Sequence, residues 1–205
     1  MNKKLIIAMM CMALTGSAVA QELNFKDKTL EERIGYSNNN NEDSIKVGKS
    51  NVSLFQQSLG NKDWSGAYEN FSWLFKYAPY AINGIYTQGP AMFYYLIQGE
   101  QDKEKKLMYF NELMNLFEAR QKNLDVINTF ANTTSTLGDV LSVKADYYNW
   151  TAPTIEGSGY TLNKSYANYR EAITMINEKG GREIVLTGVN IGDFGRSTGE
   201  DFFSL

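Results

Sequence analysis

Apolar side chains recur every three to four positions through the middle of the chain, from about residue 52 to residue 176. This spacing gathers them on one face of an α-helix, because a helix completes a turn in about 3.6 residues. The alternating pattern of a β-strand does not occur before residue 182. The pattern therefore predicts a mainly α-helical body whose helices are joined by short turns.

The predicted helices are bounded by residues that commonly start or end a helix. Asp63 is the predicted N-cap of the second helix, Pro79 ends that helix, and Gly60 with Asn61 ends the first. The helices predicted in this way cover residues 52–60, 64–78, 91–97, 103–122, 136–149 and 164–178. These helices occur in pairs along the sequence, and a single pair cannot bury its apolar face. The pattern therefore predicts stacked antiparallel helix pairs over residues 50–179.

The segments that flank this body have a different composition. Residues 21–49 are polar and weakly periodic around the run Asn38–Asn41. Such a segment buries too little apolar surface to offset its ordering entropy, so it is predicted to be a flexible leader with at most a short helix near residues 29–34. From Gly180 onward β-branched apolar residues predict a short β-like tail over residues 180–205.

The first twenty residues have the three parts of a secretory signal peptide. A basic Asn-Lys-Lys start is followed by about ten apolar residues, too few to span a bilayer as a helix. Ala18 and Ala20 form an A-x-A cleavage site, so the mature protein is predicted to begin at Gln21. No later stretch is long and apolar enough to predict a membrane span. The sequence therefore predicts an exported protein, either periplasmic or secreted.

The residue types that are missing narrow the chemistry. The chain has no histidine, and its single cysteine, Cys11, lies within the predicted signal peptide. The mature protein would therefore lack the imidazole and thiolate groups of most zinc, iron–sulfur and nucleophile–histidine sites. A formal net charge of −3 gives no electrostatic reason to expect nucleic-acid binding. We predict no catalytic residue, no metal and no cofactor, since a hydrolase built on carboxylates alone has no supporting constellation.

Residues 52–79 resemble a tetratricopeptide unit. The second helix carries Ala67, Phe71, Leu74 and Pro79 in the small–aromatic–apolar–proline order that this family uses. The first helix departs from the family pattern, because the expected Leu-Gly-x-x-Tyr is displaced to the helix end. The resemblance, which extends more loosely to residue 179, implies an exported, tetratricopeptide-like solenoid with a concave surface. It also implies a non-catalytic role in binding another protein or peptide.

Aromatic side chains are the candidate binding residues. The chain has 13 Tyr, 11 Phe and 3 Trp, and large rings with a polar tip suit partner recognition. Those on apolar helix faces are expected only to pack in the core. Two adjacent pairs differ, because neighbouring residues on a helix cannot both point inward. The predicted partner-binding surface is therefore Tyr94, Tyr95, Tyr147 and Tyr148.

Residues 180–205 resemble a second family. The run from Glu183 to Gly195, EIVLTGVNIGDFG, is closely similar to one segment of the radical S-adenosylmethionine tRNA methylthiotransferases. That resemblance implies an enzyme of tRNA modification with two iron–sulfur clusters on six cysteines, which this mature chain would lack. Two interpretations follow. The chain is a chimera or fragment whose tail is inactive as it stands, or the tail is an ordinary C-terminal strand.

Overall fold

The computed structural model describes residues 25–178, and this part of the chain is mainly helical. The α-helices are α1 Leu30–Ser37, α2 Glu42–Gly60, α3 Trp64–Tyr77, α4 Gly84–Thr87, α5 Gly89–Gly99, α6 Lys103–Lys122, α7 Leu124–Ala131, α8 Leu137–Thr151 and α9 Leu162–Glu178. A 3-10 turn, Ala152–Thr154, follows α8, and no strand occurs between residues 25 and 178. The predicted mainly α fold class is confirmed. The predicted signal peptide and the C-terminal tail lie outside the described residues.

Side-chain caps set the starts of several helices. Asp63 accepts a hydrogen bond from the amide of Gly66 at 3.0 Å, so the predicted N-cap of α3 is confirmed. Asp102 caps α6 in the same way, accepting from the amide of Lys105 at 2.8 Å. A carboxylate at this position satisfies an amide that has no partner within the helix. These helix boundaries are therefore encoded locally.

The structure differs from the predicted flexible leader over residues 21–49. The described part of that range contains α1 and the first turns of α2. Ile34 is fully buried against α2, and the guanidinium of Arg33 donates two hydrogen bonds to the carbonyl of Ala81, at 3.0 and 3.1 Å. Gly48 permits the close approach, because a Cβ there would lie 2.7 Å from Ile34 Cγ2. Tertiary contacts thus order a segment whose composition alone favours disorder.

Helices that follow one another in the chain pack together. The strongest pairings are α2 with α3, α5 with α6 and α8 with α9. Between these pairs, α3 contacts α5 and α6 contacts α8, while α1 lies on α2. The two short helices α4 and α7 were not predicted. Asn123 separates α7 from α6, since its side chain donates to the carbonyl of Ala119 and accepts from the hydroxyl of Tyr80.

The core of the first two pairs is rich in phenylalanine. The ring of Phe71 on α3 lies 5.2 Å from Phe93 on α5 and 6.2 Å from Phe55 on α2, measured between ring centroids. Both partners are fully buried. Gly89, at the start of α5, lets that helix approach closely, because an added Cβ would lie 2.9 Å from Leu116 Cδ2 and 3.1 Å from Phe71. These contacts hold α3, α5 and α6 in fixed relative positions.

The last helix packs through part of the predicted face. The apolar spacing of α9 predicts that Tyr166, Tyr169, Ile173 and Ile176 face inward. Tyr169 and Ile176 are partly buried against α8, whereas Tyr166 and Ile173 are 59% and 40% exposed. The buried residues are the small Ser165 and Ala172. Gly138 on α8 allows this close packing, since a Cβ there would lie 2.5 Å from Ile176 Cγ1 and 3.0 Å from the Ile176 amide nitrogen.

The turn between α2 and α3 holds a lysine in a left-handed conformation. Lys62 has a φ of 57°. Its amide donates a hydrogen bond to the carbonyl of Leu59 at 3.1 Å, and the amide of Asp63 donates to the carbonyl of Ser58 at 2.9 Å. This is the helix-ending pattern in which glycine is usual, because a Cβ is disfavoured at positive φ. Helix α2 ends at Gly60 with Asn61 as its C-cap, as predicted, and the left-handed residue follows at position 62.

We expect Lys62→Gly to stabilise the protein by about 0.5–1 kcal/mol, because glycine relieves the left-handed strain. The measurement is chemical unfolding in urea. The matched control is Lys46→Gly, the same change at an exposed site inside α2, which should cost up to about 1 kcal/mol. If both variants lose stability to the same extent, the left-handed turn is not strained.

Candidate functional site

Five aromatic side chains from three helices form a continuous surface, which we call the aromatic strip: Trp64, Tyr94, Tyr95, Tyr147 and Trp150. Trp64 stacks on Tyr95 with a centroid separation of 4.4 Å and an interplanar angle of 12°. Tyr94 then lies edge-on to Tyr95 at 5.3 Å and to Trp150 at 6.3 Å. Tyr147 closes the series 5.2 Å from Trp150. The strip therefore connects α3, α5 and α8.

The strip is accessible and is supported from below. Tyr95 is 48% exposed and Trp150 is 54% exposed, while the other three rings are partly buried. Tyr147 rests against the fully buried Phe117 at 5.8 Å, and burial raises the pKa of its hydroxyl. Clustered exposed aromatic rings are unusual on a soluble surface and commonly mark a binding region. The contact with Phe117 restricts the Tyr147 side chain, so little of its conformational entropy remains to be lost on binding.

An open depression of about 360 Å³ adjoins the Trp64 end of the strip. Trp64 and Tyr95 contribute aromatic walls, and Leu96 and Tyr109, which are 8% and 4% exposed, contribute further apolar surface. Gly99 also lines the depression, and no heavy atom lies within 4 Å of the position that a Cβ would take there. The depression therefore combines aromatic and aliphatic walls with polar and charged groups, and it opens next to Tyr95.

Charged groups line the rim of this depression, and the carboxylate of Glu100 is already engaged. Glu100 accepts from the amides of Gln101 and Asp102 at 2.9 and 3.1 Å and pairs with Lys105 at 2.9 Å. The hydrogen bond from the Asp102 amide and the Lys105 ammonium lower the pKa of Glu100. Lys62 also lines the depression, and within residues 25–178 it forms no ion pair. The formal charges of Lys62, Asp63, Glu100 and Lys105 cancel, and among the described residues Lys62 is the rim lysine without an ion pair.

The structure brings together three of the four tyrosines that the sequence singled out. Tyr94, Tyr95 and Tyr147 all lie in the aromatic strip. Tyr148 does not, because it is only 7% exposed and packs between Phe110 and Tyr160, at 6.0 and 5.8 Å. The argument that adjacent residues cannot both face inward was correct for this pair, but Tyr147 is the member that reaches the surface.

Sequence reasoning missed the two tryptophans of the strip. Trp150 follows Tyr147 by three positions on α8, so helical spacing could have placed it on the same face. Trp64 has no comparable local signal, because its contact with Tyr95 joins two different helices. The sequence alone could therefore have added Trp150 to the predicted surface, whereas Trp64 could be added only from the fold.

Within the described residues, the acidic side chains do not group into a set that could hold a metal ion. None of the helices between residues 25 and 178 has the length and apolarity needed to cross a bilayer. Burial raises the pKa of the Glu112 carboxyl, because it disfavours the charged form. This carboxyl accepts a hydrogen bond from the hydroxyl of Tyr68 at 3.1 Å, and burial with the carboxyl nearby raises the pKa of Tyr68 to about 12. The ring of Tyr68 also lies 5.1 Å from that of Tyr109, and the pair is best explained as a packing contact between α3 and α6.

We expect Glu112→Gln to raise the melting temperature near pH 7 and to leave it unchanged near pH 4. Burial raises the pKa of this carboxyl above its ordinary 4.5, so the folded state holds the proton more tightly than the unfolded chain does. The resulting stability is present below the unfolded-state pKa and is lost as the pH rises through the folded-state pKa. Glutamine stays neutral and still accepts from Tyr68. Thermal unfolding at both pH values, with the exposed Glu118→Gln as control, tests this; a variant less stable than wild type at pH 7 would refute it.

No family model matches this chain, and no curated protein or solved structure matches it significantly. The tetratricopeptide and methylthiotransferase resemblances therefore stay predictions from the sequence.

Proposed function

We propose that this chain is an exported, non-catalytic helical-repeat scaffold that binds another protein or peptide across the aromatic strip. The observation that carries the proposal is the strip itself, in which two rings are about half exposed and all five are in contact. Rigid aromatic side chains contribute most of the binding energy in many protein interfaces. Binding alone accounts for such a surface, and no catalytic step has to be added.

The arrangement of the helices supports a repeat architecture in this proposal. The three main pairs are joined in series. Helix α3 of the first pair contacts α5 of the second, and α6 of the second contacts α8 of the third. A stacked series of this kind presents one helix from each pair along a common face. Two helices of the strip, α5 and α8, are the first helices of the second and third pairs, and they also contact each other. The proposed binding surface therefore extends along the stack.

The proposal is tested by selecting heptapeptides from a displayed random library on the wild-type protein, purified after export. We expect the selected peptides to bind a Tyr95→Ala/Trp150→Ala double variant at least about tenfold more weakly, as the loss of aromatic anchors predicts. The control is Tyr166→Ala, which removes an equally exposed tyrosine from α9, outside the strip. The proposal fails if the selected peptides bind the double variant as they bind the wild type.

Export is a separate part of the proposal and has its own measurement. N-terminal sequencing of the protein recovered outside the cytoplasm should begin at Gln21, as the A-x-A site formed by Ala18 and Ala20 predicts. The alternative function is that of an inactive methylthiotransferase fragment, which the residues 180–205 suggest. Protein that bound four iron atoms stoichiometrically after anaerobic reconstitution would favour an active enzyme over the scaffold.

A further inference from the structure

We infer that the depression beside Trp64 and Tyr95 binds a peptide segment in which a bulky apolar side chain is followed by a carboxylate. The inference rests on the proposed function and adds the chemistry of the partner. The carboxylate belongs to an aspartate or glutamate side chain or to the C-terminus of the peptide, since these present the same group.

The apolar part of the segment fits the walls of the depression. A volume of about 360 Å³ is in the lower range of ligand pockets, which run from roughly 300 to 1,000 Å³. The stacked Trp64–Tyr95 pair and the nearly buried Leu96 and Tyr109 provide the apolar part of its lining, beside polar and charged groups. A phenylalanine or leucine side chain that enters the depression exchanges contact with water for contact with these side chains, as an anchor residue of an interface does.

Lys62 is the charged group at the rim that favours an acidic neighbour for that side chain. Lys62 forms no ion pair within the described range, whereas Lys105 at the same rim is shared with Glu100. Helix α3 begins at this rim, and its first amides, those of Trp64 and Ser65, have no partner within the helix. The positive end of a helix also favours an anion. A carboxylate placed here meets both the ammonium and these amides.

Two carboxylates lie at the rim and oppose an anion. Glu100 is paired with Lys105, whereas Asp63 is not, so a substitution of Asp63 gives a test of opposite sign. The carboxylate of Asp63 caps α3 through the Gly66 amide and lies next to Lys62 in sequence. The substitution Asp63→Asn keeps the cap, because asparagine is as good an N-cap as aspartate, and it removes the repulsion of a bound carboxylate. Asparagine is also tolerated in the left-handed conformation of residue 62, so Lys62→Asn removes the charge and keeps the turn.

The experiment uses fluorescence anisotropy with two pairs of labelled peptides on the full protein. The first pair is Gly-Gly-Phe-Glu-Gly amide and its glutamine counterpart; the second is Gly-Gly-Phe with a free and with an amidated C-terminus. We expect the acidic member of at least one pair to bind about threefold or more tightly, and salt to reduce that difference. Lys62→Asn should weaken the acidic probe by roughly two- to fivefold, the range for an exposed ion pair, and leave the neutral probe unchanged. Asp63→Asn should strengthen the acidic probe.

The outcomes separate this inference from the function on which it rests. If neutral and acidic probes bind equally, and both lose affinity in Tyr95→Ala, the carboxylate inference is wrong and the peptide-binding proposal stands. Equal binding of the acidic probe to wild type and Lys62→Asn likewise overturns the inference. If no peptide binds and maltoheptaose does, the surface recognises carbohydrate, and both the inference and the proposed function are wrong.

Discussion

Replacing Phe93 by alanine should reduce the free energy of unfolding by about 3–5 kcal/mol, the range for a fully buried phenylalanine. The ring has no exposed surface and lies where α3, α5 and α6 meet. Its centroid is 5.2 Å from Phe71, 5.9 Å from Tyr68 and 6.5 Å from Tyr109. Because all three neighbours are held by their own helices, the cavity cannot close, and their packing energy is lost with the ring.

The matched control for this variant is two residues further along the same helix. Tyr95→Ala removes a ring of similar size that is 48% exposed, and it should cost less than about 1 kcal/mol, as is usual for a surface site. Urea unfolding followed by circular dichroism measures both. If the two substitutions cost the same, then Phe93 is not at the centre of the core and the assignment of inner and outer faces of α5 is wrong.

Gly138→Ala should destabilise the protein by about 1–3 kcal/mol, the cost of overpacking a filled contact. The added Cβ would lie 2.5 Å from Ile176 Cγ1 and 3.0 Å from the Ile176 backbone nitrogen, so α9 has to move away from α8. This loss exceeds the gain in helix propensity of up to about 1 kcal/mol that alanine brings.

Gly60→Ala is the same substitution without the contact. Gly60 is the last residue of α2, and a Cβ there meets no heavy atom within 4 Å. Only the propensity gain applies, so this variant should be as stable as wild type or slightly more so. Hydrogen exchange at the amides of α9 should accelerate in Gly138→Ala alone. Accelerated exchange in neither variant would show that α8 and α9 are less closely packed than the structure indicates.

The sequence was sufficient where short-range signals determine the structure. The helix predicted at residues 103–122 is α6 with the same bounds, because Asp102 caps its start and the apolar spacing persists over five turns. It was insufficient where distant residues meet. The ordering of residues 30–49 depends on Arg33 reaching Ala81 and on Gly48 accommodating Ile34, and neither contact can be inferred from the composition of a polar segment.

The same distinction explains the candidate site. Tyr94, Tyr95 and Tyr147 could be proposed from adjacency on a helix, which is local. The choice between Tyr147 and Tyr148 is also local, because Tyr148 continues the apolar spacing of Leu141 and Ala145 on the buried face of α8, where it packs against Phe110 of α6. The stacking of Trp64 on Tyr95 and the depression beside them need the packing of α3 against α5. Sequence thus located part of the strip, and the fold completed it.

The three tryptophans offer the most direct measurement of the proposed binding surface. Trp64 and Trp150 belong to the aromatic strip, whereas Trp73 lies outside it, where its ring is 5.4 Å from Tyr77. Each indole N–H gives its own signal in a nitrogen–proton correlation spectrum. On titration with a peptide selected by the protein, the signals of Trp64 and Trp150 should shift in a saturable way while that of Trp73 stays in place. Saturable binding that shifts Trp73, or that leaves both strip tryptophans unchanged, would contradict the account.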